Sequence, residues 1–260
     1  MSEIFARNKL IWGEDFQKLL NEKHIAVFGL GGVGGFAAEA LARSGIGELT
    51  LIDFDKVSLS NINRQLIALH SKVGESKALL FQERLKEINP NIKINLYDSF
   101  YTAESNETIF SKKIDFVIDA IDTLKSKVQL LEYCHTNRLQ VITSLGAGNR
   151  IDPTKLKIMD ISEMPKQRCS FIKNLIRILD KKNIHEGIIV VVSEEAPHSL
   201  SSVKNQETII TKSGDTIEFT KISPGSVPFV PSVAGYYMAY YAVNNFLEKA
   251  KSHKDLRILR

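Results

Sequence analysis

The 260-residue sequence predicts an α/β fold, a Rossmann-like, doubly wound and mainly parallel sheet with a C-terminal extension of strands and helices. Three observations predict it. Short apolar runs alternate with helical patterns through the first 150 residues. The run over 114–120 is almost continuously apolar, as strands buried on both faces of a parallel sheet are. A glycine-rich loop, Gly29-Leu30-Gly31-Gly32-Val33-Gly34, separates the first apolar run from the first clear helix.

Taken in order, residues 13–22 read as a short helix leading into a strand over 25–28. The glycine loop follows, then a helix to about residue 44 and a strand over 49–52 that ends on Asp53. Polar segments at 61–65 and 72–77 precede a helix over 77–88, which Asn89-Pro90 stops. Strands over 92–96, 114–120 and 139–144 complete the alternation, with a helix after Ile121-Asp122-Thr123. The texture changes after Gly146-Ala147-Gly148: a strand over 156–159, a basic amphipathic helix over 169–182 and a β-branched strand over 188–192. Residues 196–224 are polar and poorly periodic apart from a hairpin signal at Ser213-Gly214-Asp215. A long helix over 229–250 closes the chain, preceded by Pro228 and interrupted at Gly235. With no linker in view, residues 1–260 read as one domain, a nucleotide-binding core over about 20–150 with 151–260 fused to it.

Hydrophobic content of 43% and charged content of 25% are those of a soluble globular chain. No apolar run reaches membrane-span length, and the first residues lack the apolar core of a signal peptide, so a cytoplasmic location without a membrane partner is expected. A net charge of +4 permits a polyanionic partner without demanding one. Cys134 and Cys169 form no CxxC pair and cannot build a four-cysteine zinc site; they read as reduced thiols, with a nucleophilic role for Cys169 left open. The six histidines show no metal-ligand spacing.

The chemistry concentrates where open α/β sheets bind ligands, outside the carboxyl ends of the strands. Gly29, Gly31, Gly32 and Gly34 let backbone N–H groups approach a phosphate at a helix N-terminus. Asp53 follows about 20 residues on, where an acid hydrogen-bonds ribose hydroxyls. Asn61, Arg64, Gln65 and Lys77 can fold over the same crevice, and Asp122 ends a later strand. Two cations suit a triphosphate better than a nicotinamide ring, and the acid suits Mg²⁺. Either cation alone would read as a solvated surface charge; together, beside the loop, they read as ligand-binding.

The order GxGGxG, an acid, Asn61-Ile62-Asn63-Arg64-Gln65, a lysine heading a helix and Asp119-Ala120-Ile121-Asp122 resembles the E1-like (ThiF/MoeB/HesA-type) adenylating superfamily. That resemblance implies an enzyme that uses ATP and Mg²⁺ to adenylate a carboxylate. By it, Asp53 holds the ribose, Asn61, Arg64, Gln65 and Lys77 handle phosphates, Asp122 binds Mg²⁺, and Arg7 reaches the γ-phosphate in a partner subunit; Arg64, Lys77 and Asp122 are the catalytic set. Trp12-Gly13, Asn89-Pro90, Asp119 to Thr123, Ser144-Leu145-Gly146-Ala147-Gly148-Asn149-Arg150-Ile151-Asp152-Pro153, Ser193-Glu194-Glu195 and Gly225-Ser226-Val227-Pro228-Phe229-Val230-Pro231 occur in an order similar to the tRNA threonylcarbamoyladenosine dehydratase branch, over about residues 5–245. The Asp-Pro-Leu-Ala-like helix start of that branch is missing at Cys169-Ser170-Phe171-Ile172.

The branch implies ATP-dependent cyclisation of N6-threonylcarbamoyladenosine in tRNA through an acyl-adenylate, with net loss of water. Backbone contacts to the tRNA are then expected from Arg150, Lys155, Lys157, Lys166, Arg168, Lys173, Arg177, Lys181 and Lys182, each of which reads equally well as a solvated surface charge. A homodimer and a sulfur-relay protein partner are expected by analogy alone. Two other enzymes fit parts of the pattern. Activation of a ubiquitin-like or sulfur-carrier C-terminus shares the ATP residues, but its usual paired CxxC zinc motifs are missing here. An NAD-dependent oxidoreductase would use the glycine loop and Asp53 yet leave Arg64, Lys77 and Asp122 unexplained. A non-catalytic scaffold of this fold leaves the whole charged set unexplained.

Overall fold

A computed structural model describes residues 3–165, 169–198, 203–210 and 216–252. Two short helices, α1 (Ala6–Trp12) and α2 (Glu14–Asn21), lead into strand β1 (His24–Phe28). Helix α3 (Gly34–Ser44) and strand β2 (Glu48–Ile52) complete the first βαβ unit. Helix α4 (Lys77–Ile88), strand β3 (Lys93–Tyr97), the single turn α5 (Asn106–Ile109), strand β4 (Phe116–Asp119), helix α6 (Leu124–Thr136) and strand β5 (Val141–Leu145) follow. The second half supplies β6 (Leu156–Asp160), α7 (Ser170–Asp180), β7 (Ile189–Ser193), the pair β8 (Val203–Ile210) and β9 (Thr216–Ser223), and α8 (Phe229–Ser252).

Seven strands form one sheet in the order β3-β2-β1-β4-β5-β7-β6, parallel except where β6 runs against β7. The chain winds outward from β1 to β3, then returns to place β4 on the other side of β1. That reversal makes β1–β4 the topological switch point, where the loops leaving the two strands part and open a crevice. Alternation along β1 divides the core. Ile25 and Val27 face a cluster built on α2, α3, α4 and α8, while Ala26 and Phe28 face one built on α5, α6 and α7. The α/β expectation holds through both halves of the chain.

Three local expectations are refined. The helix expected over 13–22 is α2, and a further helix that was not expected, α1, precedes it, the two separated at Gly13, which adopts φ +84°. The interruption expected at Gly235 is absent: α8 runs through it, and a Cβ there would overlap the Val33 carbonyl oxygen and stand 2.9 Å from the Phe36 Cβ. Glycine at this point is a packing device that lets α8 approach the start of α3. The polar stretch 196–224 contains, on either side of the expected hairpin turn, two eight-residue strands that among the described residues pair antiparallel only with each other, from Val203 opposite Ser223 to Ile210 opposite Thr216. The turn residues Ser213, Gly214 and Asp215 lie outside the described residues. Among the described residues no helix is long and apolar enough to cross a membrane.

Candidate active site

The glycine loop is held by strands on both sides of the switch point. The Gly29 N–H donates to the Ile52 carbonyl at 2.8 Å, and Gly29 adopts φ +83° because its α-carbon lies against β4's exit: a Cβ would stand 2.8 Å from the Ala120 carbonyl oxygen. A Cβ on Gly34 would overlap the Gly29 carbonyl oxygen, so the loop closes on itself only with glycine at both ends. Gly31 and Gly32 remain half-buried between these ends, with Gln65 and Arg64 against them. The N-terminus of the eleven-residue α3 follows at once, which concentrates partial positive charge at the loop.

Asp53 secures the loop from β2. Its carboxylate accepts from the Leu30 N–H at 2.5 Å and from the Asp55 N–H at 2.7 Å. Burial pushes its pKa up to about 6, against the opposing charge of Lys77. Lys77, the first residue of α4, is buried and donates to Asp55 Oδ2 at 2.7 Å. Asp55 is a member of this wall that the sequence reading missed; the Asp53-Phe54-Asp55 spacing was the available signal.

The Asn-x-Asn-Arg-Gln segment forms the roof on this side. Asn61 caps its own turn, accepting from the Ser58 N–H at 3.1 Å. The half-buried Arg64 guanidinium donates to the Ser60 carbonyl at 2.8 Å and to Asn63 Oδ1 at 3.0 Å. Its burial lowers the pKa, and the charge of Asp122 across the crevice opposes that shift. Gln65 is buried with its side-chain oxygen unpaired, an acceptor without a donor beside the loop.

The opposite wall is the exit of β4. Asp119 is fully buried, bonded to Lys127 Nζ and to Thr143 Oγ1 at 2.7 Å each. Its other oxygen accepts from the Ile121 N–H at 3.0 Å. Asp122 stands exposed at the mouth, with Thr123 Oγ1 at 3.4 Å. Lys127 and Thr143 were not among the expected site residues, because nothing in their local sequence marks them.

Among the described residues no group of three or more His, Cys, Asp or Glu side chains could cage a metal ion. A single exposed carboxylate beside a glycine-rich loop is the kind of donor set that suits Mg²⁺, which keeps its waters and shares substrate phosphates, and suits no all-protein site.

A strap joins the two halves over the crevice. Asn63 Nδ2 donates to the Ser226 carbonyl at 2.8 Å, and Gly225 and Asn149 exchange two 2.7 Å bonds. The expected tRNA-facing cations separate into three groups. Lys155, Lys157, Lys173, Arg177, Lys181 and Lys182 are exposed, Lys182 pairing with Glu132 at 2.7 Å. Arg150 is instead 3% exposed, with its Nε unpaired and its Nη1 on the Gly148 carbonyl at 3.0 Å. Lys166 and Arg168 lie outside the described residues.

Arg7 is exposed on α1, which Asn8 ties to the Arg43 carbonyl at the C-terminal end of α3. The glycine loop is at the other end of that helix, about 16 Å away at 1.5 Å per residue. The fold therefore does not bring Arg7 to its own chain's crevice. Cys134 is buried, which pushes its thiol pKa up, and Cys169 is half-buried just before α7.

Comparison with known proteins gives one consistent result. A model of the ThiF family matches residues 5–256. The tRNA threonylcarbamoyladenosine dehydratase of Bacillus subtilis is 40% identical over 266 residues, covering 100% of this chain and 98% of that one. Crystal structures of Escherichia coli tRNA N6-threonylcarbamoyladenosine dehydratase are similar in three dimensions, each covering 96% of both chains. The complex with ATP has a TM-score of 0.83 at 31% identity, and the complex with AMP has 0.83 at 32%.

Proposed function

The chain belongs to the ThiF family, and from that premise we propose that it is an ATP-dependent tRNA threonylcarbamoyladenosine dehydratase. Its substrate is tRNA carrying N6-threonylcarbamoyladenosine, and its product is the cyclic form of that base. The observation that carries the reading is the likeness to the B. subtilis enzyme across the whole of both chains, which includes the half beyond the nucleotide-binding core.

In this reaction a threonyl carboxylate oxygen attacks the α-phosphate of ATP and pyrophosphate leaves. The carbamoyl group then attacks the activated carbonyl, and AMP departs with that carboxylate oxygen. The net change in the nucleoside is loss of one water. Both steps join groups already bound, so the protein's work is positioning and charge stabilisation. The α3 N-terminus and glycine loop receive the phosphates, and Asp53 takes the ribose. Arg64 and Lys77 offset charge growing on the α-phosphate and the pyrophosphate. Lys77 would share its charge between Asp55 and a phosphate. Asp122 would hold Mg²⁺, which when bound supplies further charge neutralisation at the phosphates. Arg7 would act in the other subunit of a homodimer, since its own crevice is at the far end of α3. The exposed cations from Lys155 to Lys182 would follow the tRNA backbone.

The test is mass spectrometry of nucleosides from threonylcarbamoylated tRNA incubated with the protein and ATP·Mg²⁺. The modified nucleoside should lose one water in an ATP-dependent manner, and Asp122→Ala should abolish the change. An unaltered nucleoside with active wild-type ATP–pyrophosphate exchange would overturn the substrate assignment and leave adenylation of another carboxylate.

A further inference from the structure

Behind the exposed Asp122 lies a buried charge cluster that the mechanism above does not use. Lys127, on the second turn of α6, and Asp119, at the end of β4, are both 0% exposed and lie 2.7 Å apart. Thr143 on β5, also fully buried, completes a triangle with 2.7 Å contacts to the lysine and to the same carboxylate oxygen. The fold offers no reason for this triangle. Removing two charges from water is costly, and well-packed apolar residues of similar volume commonly serve a core as well or better. A cation so near a helix N-terminus also opposes the helix dipole.

What the triangle touches supplies the reason. Asp119 spends one oxygen on Lys127 and Thr143, and its other on the Ile121 N–H at 3.0 Å. Ile121 immediately precedes Asp122, so the carboxylate clamps the turn that carries the exposed acid. Lys127 fixes the rotation of that carboxylate, and Thr143 anchors both to the neighbouring strand, where it pairs in register with Asp119. The same turn abuts the glycine loop, since the Ala120 carbonyl oxygen lies 2.8 Å from where a Cβ on Gly29 would stand. The charge on Asp122 also reaches Lys127, opposing the lowering of the lysine pKa by burial.

We propose that Lys127, with Asp119 and Thr143, is a positioning device that sets where the Asp122 carboxylate stands relative to the phosphate-binding loop. It acts through Asp122 and touches no substrate. The inference rests on the adenylation reading above for its kinetic consequence, and on geometry alone for its structural one.

The paired variant Lys127→Met/Asp119→Leu removes both charges and the turn's acceptor together. It should remain folded, with a melting temperature near that of the wild type. Its kcat for ATP–pyrophosphate exchange should fall about 30- to 300-fold while the KM for ATP moves less than about threefold, the pattern of a lost transition-state interaction. Amide hydrogen exchange at Ile121 should quicken at least about tenfold in the nucleotide-free protein, with β1 and β5 unchanged. Thr143→Val, which deletes one hydroxyl at nearly constant volume, is the milder variant should the pair not fold; it should lower kcat about three- to tenfold with the same unchanged KM. Wild-type kcat in a folded variant, or a loss confined to stability, would overturn the proposal. If the wild-type protein itself shows no exchange reaction, the adenylation reading fails, and the amide protection of Ile121 decides the positioning role by itself.

Discussion

The two halves of this chain carry charge in opposite ways. Around the β1–β4 switch point most of it, the exposed Asp122 and half-buried Arg64 aside, is buried and bonded: Lys77 is 3% exposed against Asp55, Asp53 is 7% exposed between two backbone N–H groups, and Lys127 with Asp119 is fully enclosed. From Lys155 to Lys182 the described cations stand in solvent, and Lys182 alone among those named above forms an ion pair. Buried charges pay a desolvation cost that only fixed geometry offsets, so each is set in one place and acts as an individual. Exposed charges cost nothing to display, are screened by salt, and act by number. The first arrangement suits chemistry at one phosphorus atom, and the second suits a long polyanion.

Four measurements would break or sharpen that contrast. The largest effect is expected at Lys77. Lys77→Ala should lower kcat/KM for ATP–pyrophosphate exchange about 10²- to 10³-fold, and a loss under about threefold would mean that the lysine merely pairs with Asp55. Next is the triple reversal Lys173→Glu/Arg177→Glu/Lys181→Glu. It should weaken tRNA binding about ten- to a hundredfold at moderate salt and flatten the dependence of log K on log salt, with the KM for ATP unchanged. A uniform loss at every salt concentration would show these residues acting as individuals, like those in the crevice.

A third measurement asks whether the halves are joined mechanically. Gly235→Ala drives a Cβ into the Val33 carbonyl at the glycine loop, and urea unfolding should report about 1–3 kcal/mol of destabilisation. The smallest effect is a pH trend. Asp53 has a folded pKa of about 6, above its ordinary value of 3.8, so the folded protein holds its proton longer than the unfolded chain does. This group's contribution is therefore full below the unfolded value and is lost as pH rises through about 6. Melting temperatures of wild type minus Asp53→Asn should fall between pH 4 and 6 and level off above; a difference that rises over that interval would contradict the burial of Asp53.

Most of the first half was legible because its signals are local. The glycines must sit at fixed offsets between a strand and a helix, and the next strand must end on an acid. Lys77 follows directly on Ser76, whose side chain accepts from the Leu79 N–H at 3.3 Å and so starts α4 where helical apolar spacing begins. The hairpin strands were harder to read, because a two-stranded ribbon paired only with itself does not impose the apolar alternation that strand reading depends on. Gly235 misled for a related reason. A glycine in a helix looks like a break until the neighbour that it admits is known.

Sequence by itself determined the nucleotide-binding unit, the parallel sheet and those crevice residues that sit on the glycine loop, the strand-end acids and the Asn-Arg-Gln segment, since periodicity, glycine spacing and strand-end acids are set by the backbone within a few neighbours. Tertiary structure alone decided which charges are buried and with whom. Asp119, Lys127 and Thr143 meet because β4 pairs with β5 and α6 packs behind them, and the strap meets Asn63 across 163 positions of chain. Arg150 and the lysines beyond it look alike as letters, yet one is enclosed and the others are in water, because burial depends on which long-range contacts close over a side chain and on nothing that its own neighbours in sequence specify.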